Sequence, residues 1–216
     1  MNGRQGQREP IRHWLPSQGV DPAPLAELNA ECLGLLALRA GEPGDSAVLP
    51  ALLIELRELW AELPSQAVRR LAAAPFSLFD AGFAASPRWL ELRVAGVREL
   101  PVQAGPPFFE PLAARSVTRR MLVYGWHLAR SRPRAACLVF GATLPAIESL
   151  AACSLATLEA AAERNGDGLR PRWSQQHAFW RELLQSAATG ADQRLHELLL
   201  GGVQRLAAET LVAQAT

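Results

Sequence analysis

Apolar residues recur at the three- and four-residue spacing of an amphipathic helix along most of the chain. The first such stripe consists of Leu25, Leu28, Cys32, Leu35 and Leu36. Asp21 is suited to cap the amino end of this helix, Pro22 to occupy its first position, and Gly41 to end it. The pattern therefore predicts a helix over residues 21–41.

The same spacing predicts further helices in both halves of the chain. In the first half they cover residues 45–63, with Pro50 in or near the first turn, then 65–74 and 86–94. In the second half they cover residues 112–130, 133–140, 143–150, 154–164, 175–184 and 192–211, with caps at Thr143, Ser154 and Ser174 and an interruption at Gly201 and Gly202. Pro171 favours extended backbone over residues 169–173. Strand alternation is nearly absent, so the predicted fold class is all-α.

The stretch before residue 112 contains several prolines and glycines, which exclude a helix. We therefore predict a flexible arm at residues 1–10, a helical N-terminal subdomain at 11–100, a linker at 101–111 and a helical domain at 112–216. Phe108 and Phe109 indicate that the linker packs onto the protein, because a free tether more often lacks adjacent aromatic residues.

Composition is typical of a globular chain, with 49% apolar residues in a length of 216. The formal net charge is +1, so binding to nucleic acid would require a local basic patch. The three cysteines are widely spaced in apolar runs, which indicates core positions in a reducing cytoplasm. No secretory segment or bilayer-length apolar run is evident, so the sequence predicts a cytoplasmic location and no membrane insertion.

Motifs for catalysis or metal binding are not apparent. The four histidines are isolated from one another, and no cysteine pair has zinc-binding spacing. Neither a G-x-S-x-G turn nor a phosphate-binding G-x-x-x-x-G-K loop occurs, and the chain contains no lysine. We therefore expect a protein that is not an enzyme and that needs no metal or cofactor.

Arginine clusters are the remaining candidate binding residues. They are Arg115, Arg119 and Arg120; Arg130, Arg132 and Arg134; and Arg170 with Arg172. The first six can contact phosphate or simply solvate a helix surface. The last two flank Trp173, with Trp180 nearby, either as a hydrophobic clamp or as a base-stacking platform. In an extended segment both arginines should project outward, with Trp173 in the core near Trp180.

Residues 134–173 read RAACLVFGATLPAIESLAACSLATLEAAAERNGDGLRPRW. Five features follow one another in this stretch. They are an aromatic-plus-Gly turn at Gly141, a helix ending at Leu150 and Ala151, a Ser154-Leu155 cap, a second helix reaching Asn165 and the Arg172-Trp173 segment. This order resembles the flagellar transcriptional regulator FlhD, an all-helical dimeric family that activates transcription with FlhC. The likeness covers about the last hundred residues, and this chain adds an N-terminal half that the family lacks.

The resemblance implies a homodimer, a protein partner of FlhC type and DNA as a ligand. An apolar stripe on residues 115–130, formed by Val117, Met121, Leu122, Tyr124 and Leu128, could bury itself against a second copy. A weaker likeness, through VRRLAAAPFSLFD and GWHLARSRPRAACLVFGATLP, is to SctK-type accessory proteins of type III secretion. The leading hypothesis is thus a transcriptional regulator or a subunit of a regulatory complex, and the alternative is a protein-interaction adaptor without DNA binding.

Overall fold

A computed structural model describes residues 21–42, 49–83 and 105–215. These residues form ten α-helices and one two-stranded antiparallel sheet, which confirms the all-α prediction. The arm at 1–10, the helix predicted at 86–94 and the first part of the linker lie outside the described residues.

Four helices precede the sheet. They are α1 (Ala23–Gly41), α2 (Ala51–Glu55), α3 (Arg57–Ala61) and α4 (Ser65–Ala72). The residue that precedes α1 is Pro22 and not Asp21, which lies one position earlier and accepts a hydrogen bond from the Ala23 amide at 3.0 Å.

The single helix predicted over 45–63 is wrong, because the backbone breaks at Leu56, with φ −113° and ψ 22°. Leu56 and Trp60 are both buried in the core. Arg57 donates to the carbonyl oxygens of Ala40 and Glu42 at the carboxyl end of α1.

Strand β1 (Phe79–Asp80) pairs with β2 (Arg170–Pro171), with Phe79 opposite Pro171 and Asp80 opposite Arg170. Asn29 of α1 is buried beside β1, donating to the Phe76 carbonyl at 3.1 Å and accepting from the Leu78 amide at 3.0 Å. The chain segment around β1 therefore joins α1 to the second half of the protein.

Six helices form the second half. They are α5 (Pro111–Ser131), α6 (Pro133–Phe140), α7 (Leu144–Ala152), α8 (Leu155–Asn165), α9 (His177–Thr189) and α10 (Asp192–Ala215). The Ser154 hydroxyl caps α8 by accepting from the Thr157 amide at 3.1 Å, as predicted.

Two predicted details of these helices are wrong. Ser174 does not cap α9, because a turn over residues 172–175 delays the helix until His177. The glycine pair does not interrupt α10. A Cβ on Gly202 would lie 2.5 Å from Cζ of Phe76, so this glycine serves close packing within a continuous helix.

Residues from both halves share one buried hydrophobic cluster. Trp60 of α3 lies 5.5 Å from Trp180 of α9 between ring centroids, and Phe79 of β1 lies 6.0 Å from Phe109. Phe109 is buried, which confirms that the segment before α5 packs onto the protein.

The apolar stripe of α5 is also part of this cluster, since Val117, Met121, Leu122 and Leu128 are all buried inside the chain. It is therefore not available as the self-association surface that the sequence suggested. Helices α1, α6, α7 and α8 contact α5 and account for the burial.

Candidate functional site

The first arginine cluster lies on α5, and each of its members is paired with a glutamate. The pairs are Arg115–Glu163 at 3.7 Å, Arg119–Glu159 at 2.5 Å and Arg120–Glu31. Two of these carboxylates belong to α8 and the third to α1, so the pairs join α5 to the helices on either side. The three carboxylates reduce the positive charge that this face presents to a phosphate.

Between these pairs runs a shallow groove of about 420 Å³ along α5, lined by Ser116, Arg119, Arg120, Val123 and Tyr124. The Tyr124 hydroxyl is buried and has no hydrogen-bond partner among the described residues. Burial raises the pKa of this phenol, and the charge of Asp21 raises it further. Both arginines of the groove are paired with carboxylates, which weakens its attraction for an anion.

The second cluster lies at the turn between α5 and α6, where Arg130, Arg132 and Arg134 fall within five residues. Arg130 and Arg134 are exposed, and Arg132 is half-buried. None of the three has a carboxylate partner in the part of the chain that the structure describes. Among the described residues, the positive charge of this cluster is therefore not paired with a carboxylate, unlike that of the first cluster.

Trp126 and His127 complete this surface on the last turns of α5. The Arg130 guanidinium carbon lies 4.6 Å from the centroid of the Trp126 ring. The His127 ring is exposed and meets Trp126 edge-on, with 4.9 Å between ring centroids. We call Trp126, His127, Arg130, Arg132 and Arg134 the basic corner. The exposed guanidinium groups of Arg130 and Arg134 can bind an anion such as a phosphate.

Arg172 was expected to project outward, and this prediction is wrong. Its side chain is buried, donating from Nε to the Ser77 carbonyl at 2.8 Å and from Nη2 to the Phe140 carbonyl at 2.5 Å. The Asp80 carboxylate lies 3.9 Å from Nη2 of Arg172. Burial lowers the pKa of this guanidinium, and the charges of Asp80 and Glu209 oppose that effect. Arg172 is thus a core residue.

The alternation expected over 169–173 fails because β2 ends at Pro171 and the next residues turn. Trp173 adopts a left-handed backbone with φ 52°, which is uncommon for a bulky residue. Its ring is half-buried against Phe76 and Phe179, and its Nε1 donates to Glu209 at 2.8 Å. Arg170 is half-buried beside β1 without a carboxylate partner in the described ranges, and it lies apart in sequence from the basic corner.

Sequence reasoning missed Trp126 as a site residue, although a signal was present. Trp126 precedes Arg130 by four residues, and side chains at this spacing meet on one helix face. It also missed the structural role of Asn29, a polar residue between Leu28 and Cys32 within an apolar stripe. An amide in that position must find partners when the helix packs.

The described residues contain no cluster of three or more side chains suited to hold a metal ion. In the same ranges no single helix is long and apolar enough to cross a membrane. Only α6 and α7 taken together, bent by 113° at the break between them, have the length and the apolar composition of a membrane span. No family model, curated protein or solved structure matches the chain.

Proposed function

We propose that this chain is a non-enzymatic regulatory protein that contacts the DNA backbone through the basic corner, acting as a transcriptional regulator or as a subunit of a regulatory complex. One observation carries the proposal. The arginines of the corner lack carboxylate partners among the described residues, whereas those of the first cluster are each paired with a glutamate.

The resemblance of residues 134–173 to FlhD supports this function, because that family activates transcription. As the resemblance implies, the protein would act in the cytoplasm, as a homodimer or with a partner of FlhC type. Self-association would use a surface other than the buried stripe of α5. Sedimentation at micromolar concentration tests the homodimer, and a monomer would remove that part of the proposal.

The DNA contact is expected to be local, because the formal net charge is only +1. Each arginine that neutralises a phosphate releases a counterion, so log K falls with log salt by about 0.9 per contact on duplex DNA. The number of contacting arginines can therefore be read from the salt dependence of binding.

The test is a titration of labelled duplex DNA at several salt concentrations with two double variants. Arg130→Ala/Arg134→Ala removes two corner charges, and Arg115→Ala/Arg119→Ala removes two paired charges. Both variants change the formal net charge from +1 to −1, so a difference in salt slope between them reports where the charge is lost. We expect the corner variant to reduce the slope by about 2 and the control to change it little. Equal effects of the two variants would contradict the proposal.

A protein-interaction adaptor is the second candidate, and the exposed leucines of the second half favour it. Leu112 is 81% exposed, Leu138 is 51% exposed and Leu155 is 50% exposed. Exposed apolar side chains of this size are common at protein interfaces. If the wild-type chain fails to bind duplex DNA even at low salt, the adaptor function is favoured.

A further inference from the structure

Trp126 is fixed in place from one side by the protein itself. Its indole Nε1 donates to the carbonyl oxygen of Cys153, at the end of α7, at 2.9 Å. Part of its ring packs against the hydrophobic core, and the rest faces outward. The ring is therefore a rigid surface at the carboxyl end of α5.

Arg130 lies one helical turn after Trp126, with its guanidinium carbon 4.6 Å from the ring centroid. A cation over the face of an indole is attracted by the negative face of the ring. The contact restrains a long side chain that is otherwise exposed and free of carboxylate partners in the described part of the chain. The N–H groups at the rim of the guanidinium plane remain available for an anion.

We infer that Trp126 is a positioning residue, which holds the Arg130 guanidinium ready for a phosphate of the DNA backbone. This inference rests on the proposed function. A pre-organised guanidinium loses less side-chain entropy on binding, so the indole raises affinity without adding charge.

The alternative role for an exposed tryptophan is to stack on an unpaired base. At Trp126 one ring face is occupied by Arg130, and the N–H edge is used by the Cys153 carbonyl. The His127 ring also lies against Trp126. These contacts leave less of the indole available to a base, and they favour a role through Arg130.

The test is a double-mutant cycle with Trp126→Leu and Arg130→Ala, measured on duplex DNA and on a single strand. Trp126→Leu should weaken duplex binding by about two- to fivefold, the size of an exposed cation–π contact. The salt slope should stay unchanged, because no charge is lost. In the Arg130→Ala background the same substitution should have no further effect. Trp126→Phe, which keeps an aromatic face, should restore most of the affinity.

Two results would overturn the inference. One is an equal loss from Trp126→Leu with and without Arg130, which would mean that the two residues act independently. The other is a loss confined to single-stranded DNA, which is the signature of base stacking. Failure of the proposed function is distinguishable, because then the wild-type chain itself would not bind or the corner and control double variants would behave alike.

A measurement on the wild-type chain does not depend on whether the leucine variant folds. The aromatic ring current should shift the side-chain proton resonances of Arg130 upfield in an NMR spectrum, and those of Arg134 should stay near their usual positions. Arg134 is the matched control, since it is exposed and contacts no aromatic ring in the described residues. Unshifted Arg130 resonances would contradict the positioning role.

Discussion

Replacing Arg172 should destabilise the protein more than replacing any exposed arginine. The guanidinium joins two segments that are distant in sequence, since Ser77 lies 95 positions before Arg172. Its backbone is held as well, because its amide donates to the Leu78 carbonyl at 2.9 Å and its carbonyl accepts from Trp180 Nε1 at 2.8 Å. The variant Arg172→Ala keeps these backbone bonds and removes only the side chain.

The loss in the free energy of unfolding follows from the polar groups that Arg172→Ala leaves without a partner. The carbonyl oxygens of Ser77 and Phe140 each lose a donor from a charged group, a bond that contributes about 1.5–3 kcal/mol. The Asp80 carboxylate loses its nearby cation but keeps the amides of Gly82 and Phe83 as donors. Removing one member of a buried ion pair costs about 3–5 kcal/mol, and we expect a loss of this size in the free energy of unfolding.

Urea unfolding followed by far-UV circular dichroism measures the loss. Arg172→Met retains most of the side-chain volume and lacks the donors, so it should cost about 2–4 kcal/mol and isolate the polar contribution. Arg181→Ala is the control, because Arg181 is exposed on α9, and its effect should stay within about 0.5 kcal/mol. If Arg172→Ala matched this control, the buried position of the guanidinium would be wrong.

Three further predictions concern single residues. Tyr124 is the only tyrosine, so tyrosinate absorbance reports it alone. Burial raises its pKa, and the native chain should therefore titrate at higher pH than the urea-unfolded chain. The free energy of unfolding should fall as the pH rises from the unfolded towards the folded pKa. Burial raises the pKa of the Cys32 thiol, so alkylation followed by mass spectrometry should label the two half-buried cysteines before Cys32, and early labelling of Cys32 would contradict its core position. Gly125→Ala should cost about 1–3 kcal/mol in urea unfolding, because the added Cβ would lie 2.8 Å from the Phe83 ring, whereas Gly34→Ala, with no atom within 4 Å, should not destabilise.

The sequence alone determined most of the described helices, because their signals are local. The apolar spacing of α1 and α5, the prolines at the start of α5 and α6, and the Ser154 cap each depend on residues a few positions apart. The same signals predicted extended backbone around Pro171. They also indicated that Phe109 packs onto the protein, since adjacent aromatic residues favour burial.

Contacts between residues distant in sequence decided the helix break, the burial of Arg172 and the pairing of the arginine clusters. Arg57, beside the break at Leu56, bonds to the end of α1, and the buried Arg172 bonds to the carbonyl of Ser77. Two arginine clusters that look alike in sequence differ in the structure, because Glu31, Glu159 and Glu163 reach one of them and no described carboxylate reaches the other. Helix propensity acts over a few residues, whereas charge compensation and burial depend on which helices become neighbours, so only the tertiary structure could separate the basic corner from the paired arginines.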